Sequence, residues 1–223
     1  MIYWIIFPTS FFSTSLLIFL MIRYISKPRG FTSYDLIHKI KKLHPRKTKI
    51  GHAWTLDPLA TGLMIVATGK DTKRLKHFVW LDKVYEATID FSKKSDTRDV
   101  DYRKEFDQLA TESLKVPSQD DIMKLLDSKL WRWLWPLTPF SARKIKGKKL
   151  YEYAREGNPI FLDSEMQLLW YEILEYAFPE LKIQLHVWSG TYIRSIAHRI
   201  WEQLWLWGIL TALHRSKVGD IEL

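Results

Sequence analysis

An α+β fold with a mixed, mainly antiparallel sheet flanked by helices follows from three features of the 223-residue sequence. Strand-type and helix-type periodicities both occur, but not in the regular β-α-β alternation that a parallel sheet requires. Two strand-like runs, 166–178 and 181–188, follow each other across a short turn at Pro179, as an antiparallel pair does. Apolar residues make up 47% and charged residues 26%, ordinary for a globular chain, which excludes disorder and collagen-like repeats.

The elements are read in order. Residues 1–22 carry no charge, which makes them a marginal candidate for a membrane span. Pro8 and the hydroxyls of Thr9, Ser10, Ser13, Thr14 and Ser15 work against a helix, and no basic segment or cleavage pattern frames the stretch. Met21 precedes the charged sequence. The expectation is a mis-called start, with 1–20 a dispensable apolar extension and one domain over 21–223; a real membrane anchor is the competing reading. Ser33 is expected to cap a helix to about His44, with Leu36, Ile37, Ile40 and Leu43 on one face. The run LMIVAT at 63–68 reads as a buried strand and 70–79 as a helix. Residues 83–91 alternate, placing Tyr85, Ala87, Ile89 and Phe91 on one face of a strand. Residues 92–118 are polar and read as a loop or insertion. Helices are expected at 120–130, 149–156 and 191–206, around the strand pair. There are no repeats.

Charge and cysteine usage narrow the function. Lys plus Arg is 34 against 25 for Asp plus Glu, a formal charge of +9. That balance favours a polyanionic partner, nucleic acid or an anionic membrane. The absence of cysteine excludes disulfides, thiolate zinc sites and Cys nucleophiles, and fits a reducing, cytoplasmic location. The seven histidines are scattered without ligand spacing, so no metal is expected. Lys39, Lys41, Lys42, Arg46, Lys47 and Lys49 precede the stretch 51–69, and Lys70, Lys73, Arg74 and Lys76 follow it. Flanking one loop on both sides, they suit contacts to nucleic-acid phosphates. Within that stretch, GHAWTLDPLATGLMIVATG, Asp57 stands before Pro58 in a segment too rich in turn formers to be helical.

GHAWTLDPLATG resembles the catalytic motif of TruB-type tRNA pseudouridine synthases, G-H-x-G-x-L-D-P-x-A-x-G. Three more segments fall in family order: Lys27-Pro28-Arg29-Gly30 with Thr32 and Ser33, Asp82-Lys83-Val84-Tyr85, and Ser189-Gly190-Thr191-Tyr192-Ile193-Arg194. Weaker support comes from SDTRDVD at 95–101 and from 139–157. The resemblance runs from about residue 21 to about residue 218. The C-terminal RNA-binding extension of many members is expected to be lacking, since the chain stops at Leu223.

The resemblance implies the pseudouridine synthase catalytic fold and isomerisation of uridine 55 in the T loop of tRNA. It makes Asp57 the catalytic carboxylate and Tyr85 the ring that stacks on the base and takes part in proton removal. Arg194 is the partner of the carboxylate. His52 occupies the space left by the flipped base, and Leu213 lines the pocket. Lys27, Lys83 and Tyr192 join the substrate-binding set. The reaction breaks the N1–C1′ bond, rotates the uracil and joins C5 to C1′. An ionised carboxylate serves it by attack or by proton abstraction, and a neighbouring guanidinium favours that ionised form. Flipping the base out costs a few kcal/mol, offset by aromatic stacking. No redox step or external group is needed, so no cofactor is implied. The expected partner is the tRNA T arm, and the expected state is a monomer. The alternative is a catalytically impaired RNA-binding or tRNA-folding module.

That alternative arises from the tryptophans. The chain has 11 Trp and only 9 Gly. Trp54 stands where the catalytic motif carries glycine. Trp201 and Trp205 also match glycines, and Trp80, Trp188 and Trp207 fall where glycine is common. The largest side chain in place of the smallest at tight positions disrupts packing. The expectation is translational: UGA codons that some bacterial lineages read as glycine have been written as tryptophan. Converting all of them gives 9 + 11 = 20 Gly, close to ordinary usage. The resemblance does not place Trp4, Trp131, Trp133, Trp135 or Trp170 against motif positions.

Overall fold

The computed structural model describes residues 22–100, 107–108, 116–204, 206 and 208–223. The apolar extension at 1–20, much of the polar insertion, Trp205, Trp207 and the side chain of Trp201 lie outside the described residues. The chain forms two compact units, one up to Leu81 together with Ser216–Leu223, the other Asp82–Arg215. The first unit holds β1 (Ile22–Lys27), α1 (Ser33–Lys42), β2 (Ile50–Ala53), β3 (Thr61–Thr68), a 3-10 turn (Gly69–Lys73) and α2 (Leu75–Val79). The second holds β4 (Lys83–Asp90), the short β5 (Lys93–Lys94) and β6 (Asp107–Gln108), α3 (Gln119–Asp127) and β7 (Trp131–Leu137). It continues with β8 (Lys144–Ile145), β9 (Lys148–Lys149), α4 (Leu150–Arg155), β10 (Leu162–Ala177), β11 (Glu180–Val187), α5 (Ile193–Leu204) and most of β12 (Ile209–Val218). The last residues of β12 return to the first unit and pair with β13 (Ile221–Glu222).

In the first unit β3 is the central strand. It pairs antiparallel with β1, Met64 facing Ile25, and antiparallel with β2, Val66 facing His52. Both its faces are covered. Leu63, Ile65 and Ala67 pack with Ala53, Leu75 and Val218, whereas Met64 and Val66 pack with Ile40 and the flanking Leu36, Ile37 and Ile25. Burial on both sides explains an unbroken apolar run where a half-exposed strand would alternate.

The start of α1 differs from the expected Ser33 cap. Thr32 is the N-cap: its Oγ1 accepts from the Asp35 N–H at 3.0 Å, and the Asp35 carboxylate accepts from the Thr32 N–H at 2.9 Å. Ser33 is unavailable because its hydroxyl turns inward, donating to the Leu56 carbonyl and accepting from the Leu56 N–H. At the other end Leu43 lies beyond the helix and is exposed, so it drops out of the expected apolar face. Thr32→Ala is expected to cost about 1 kcal/mol, a fall in Tm of roughly 2–4 °C by thermal melting. The helix expected at 70–79 is divided, a 3-10 turn giving way to α2 at Arg74.

In the second unit β11 lies between β4 and β10, and β7 pairs with β10, all antiparallel. The expected alternation of β4 holds for Tyr85, Ala87 and Ile89, which face Leu185, Ile183 and Leu181 across the ladder and are buried with them. Phe91 is buried just past the strand end. Helix α5 packs its buried Ile196 and Ile200 face near β7 and α3.

Candidate active site

Asp57 sits in the loop between β2 and β3, half-buried. Leu56, Leu59 and Ala60 anchor the loop by burial. Backbone bonds fix its path: the Ala60 N–H donates to the Asp57 carbonyl at 3.0 Å, and the Gly30 N–H to the Pro58 carbonyl at 2.8 Å. Ser33 holds both backbone groups of Leu56. Lys27, at the end of β1, is fully buried, and its ammonium donates to the carbonyls of Phe31, Pro58 and Pro28 at 2.6, 3.4 and 3.0 Å. A single stretch, residues 27–33, thus holds the two residues that flank Asp57, 23 to 31 positions away in sequence. His52 lies on β2, two residues before the strand gives way at Trp54.

Trp54 opens this loop at φ +62°. The left-handed region is strained for a bulky L-residue and open to glycine, as the match of this position to a motif glycine requires.

The second unit carries the other candidates. Tyr85 is buried on β4 opposite Leu185. Leu213 is buried on β12. Tyr192 is half-buried in the turn before α5, where its N–H donates to Met166 Sδ. Arg194, in the first turn of α5, is 4% exposed. Its guanidinium donates to the Thr97 carbonyl at 2.9 Å and the Phe140 carbonyl at 3.1 Å, and its Nε lies 3.7 Å from an Asp99 carboxylate oxygen. The segment supplying Thr97 and Asp99 is itself fixed: Leu210 of β12 exchanges backbone bonds with Arg98 and Val100. The sequence alone does not single out Asp99 and Phe140, although they lie in the weaker-matching segments 95–101 and 139–157. Burial pushes Arg98 down to about 10, with Arg194 adding to the effect against Glu202. Burial, Arg98 and Arg199 push His198 down to about 3, so that imidazole is neutral near pH 7.

Lys83 is buried at the start of β4 and donates to Ser189 Oγ at 3.2 Å. Burial first, and then the buried Arg215 guanidinium, lower its pKa from 10.5 to about 8, against the pull of Asp82. Near neutral pH both folded and unfolded chains hold the proton, and the charge costs the fold stability. Above about pH 8 the folded chain loses the proton first, so the cost is relieved as pH rises toward 10.5. The Tm of Lys83→Met, relative to the parent, is therefore expected to be highest near pH 7 and to decline toward about pH 10; paired thermal melts check it.

Around the C-terminal end of α1, a cavity of about 250 Å³ is lined by His38, Lys41, Lys42, His44 and Arg46. Of the flanking cations, Arg74 pairs with Asp71 and Lys39 lies over the Phe31 ring. Among the described residues no group of acidic or histidine side chains could hold a metal, and no helix is long and apolar enough to cross a membrane.

The chain is 39% identical over 210 residues to tRNA pseudouridine synthase B of Phocaeicola vulgatus, covering 90% of this chain and 86% of that protein. The protein of that name from Malacoplasma penetrans is 38% identical, covering 89% and 85%. A chain in the crystal structure of a Cbf5-Nop10-Gar1 complex shares the fold, with a TM-score of 0.67 at 22% identity, over 93% of this chain and 51% of that one. The description TruB family pseudouridylate synthase (N terminal domain) matches residues 41–193, a span that includes the Asp57 loop, β4 with Tyr85, and the turn into α5. With that match over most of its length and relatives of this identity along nearly all of it, the chain belongs to the TruB family of pseudouridylate synthases.

Proposed function

We propose that the chain converts uridine 55 in the T loop of tRNA to pseudouridine, with Asp57 as the catalytic carboxylate. The enzyme class, a tRNA pseudouridine synthase and hence an isomerase, follows from the family and from relatives over about 90% of the chain. One observation carries the finer reading. The Asp57 loop is held by Ser33, Gly30 and Lys27 through its backbone, which leaves its position set independently of the carboxylate's own chemistry. A carboxylate so placed is preorganised for attack or proton abstraction at the sugar.

The resemblance gives the remaining roles. Arg194 favours the ionised carboxylate, Tyr85 stacks on the flipped base, and His52, Tyr192 and Leu213 shape its surroundings. Lys27 acts through the loop that it braces. The basic groove at the end of α1 fits T-arm phosphates, since an RNA stem offers a regular row of anions. Bond breaking and bond making are internal to the nucleotide, so the reaction uses no cofactor. The protein acts as a monomer in the cytoplasm. Relatives of this identity do not favour the second reading, a module that binds tRNA without turning it over.

The test is a tRNA transcript with uridine at position 55 and a second with cytidine there. Pseudouridine at 55 in the first, and none in the second, is the expected result. Pseudouridine at other positions in both transcripts would overturn the site assignment. Tight binding with no product, from protein carrying glycine at 54, would favour the binding module.

A further inference from the structure

We propose that positions 54 and 131 are glycine positions of the working protein, and that the tryptophans written there are UGA codons that the cell of origin decodes as glycine. The excess of Trp over Gly raises the question without saying which positions are concerned. The backbone names them. Among the described residues four that are not glycine have positive φ: Trp54 at 62°, Arg98 at 63°, Trp131 at 80° and Lys146 at 49°. Two of the four are tryptophan. Residues that enter this region without glycine are chiefly Asn, Asp and His, whose short polar side chains bond locally; an indole gains nothing of that kind.

The chain's own glycines show what the region is used for. Seven of its nine, Gly30, Gly62, Gly69, Gly147, Gly157, Gly190 and Gly219, have positive φ. Positions 54 and 131 make the same backbone demand. Trp131 is 73% exposed, so burial does not offset its strain. It opens β7, far in sequence from the Asp57 loop, and no motif glycine pointed to it. The two positions are thus independent instances of one pattern.

The same test sets other tryptophans aside. Trp135 is 2% exposed in the interior of the second unit, where a large side chain fills space. Trp80, at the end of α2, is 70% exposed but has φ −87°, which suits any residue. The backbone makes no demand for glycine at either. This inference stands apart from the catalytic assignment, since Trp131 plays no part in it.

The experiment has two arms. The gene is read at codons 54 and 131, and the protein isolated from its own cells is digested and its peptides weighed. UGA codons with glycine in both peptides are expected; UGG, or tryptophan in either peptide, overturns the proposal. In the second arm, purified Trp131→Gly protein is melted beside the parent and Trp80→Gly. The first substitution is expected to raise Tm by roughly 2–8 °C, through relief of left-handed strain, and the second to leave it unchanged or lower. A Tm for Trp131→Gly at or below the parent's also overturns it.

Discussion

Asp57→Asn is expected to abolish turnover while leaving tRNA affinity nearly unchanged. Asn keeps the size of the side chain, and the loop is held through the backbones of Leu56 and Pro58, which the substitution does not touch. The carboxylate's charge is what both available mechanisms need, as nucleophile or as base. The rate under single-turnover conditions should fall by roughly three orders of magnitude or more, the scale seen when a group essential to covalent catalysis is removed. Affinity comes mainly from phosphate contacts and should move little. Pseudouridine formation and filter binding, measured on one transcript, separate the two effects. Substantial isomerase activity in the Asn protein would remove Asp57 from the catalytic role.

The second large effect belongs to Trp54→Gly. Trp54 lies three residues before Asp57, at φ +62°, where a bulky side chain costs of order 1–3 kcal/mol in backbone strain. The indole is also the largest side chain in place of the smallest, in the loop proposed to receive the flipped nucleotide. Protein carrying Trp54 is expected to bind tRNA through its basic groove and isomerise slowly, and the glycine variant to react at least about tenfold faster. The comparison is made with Trp201 and Trp205 set to glycine in both proteins, so that folding does not confound the rate. Equal single-turnover rates would show that the tryptophan is tolerated in the loop.

What the sequence revealed follows from what kind of signal each element carries. Strands β4, β10 and β11 announced themselves through alternation or a turn at proline, and β3 through a solid apolar run. Strand β7 did not, because Pro136 and three tryptophans obscure its pattern; β12 did not, because His214, Arg215 and Lys217 look like side chains turned to solvent although Arg215 is fully buried. The cap of α1 shifted to Thr32 because a tertiary contact, Ser33 with Leu56, claimed the hydroxyl that local sequence favoured. Asp57 stands out in the sequence through its motif, and its catalytic role is the proposal made above. The carbonyls of Thr97 and Phe140 that hold Arg194 do not stand out, since a backbone oxygen leaves no trace in residue identity.

Strand β3 has a consequence for dynamics. Ala67 faces Ile22 on one side and Gly51 on the other, and the strand is covered above and below by apolar side chains. Its amides are expected to be among the slowest of that unit to exchange with solvent, which amide hydrogen exchange would show. The Asp57 loop leads directly into this strand, while its other side is tied to short β2 and to side-chain clasps. Under the proposed function, a nucleotide enters and leaves beside Asp57 within the lifetime of a single folded molecule, without the strand behind it having to open.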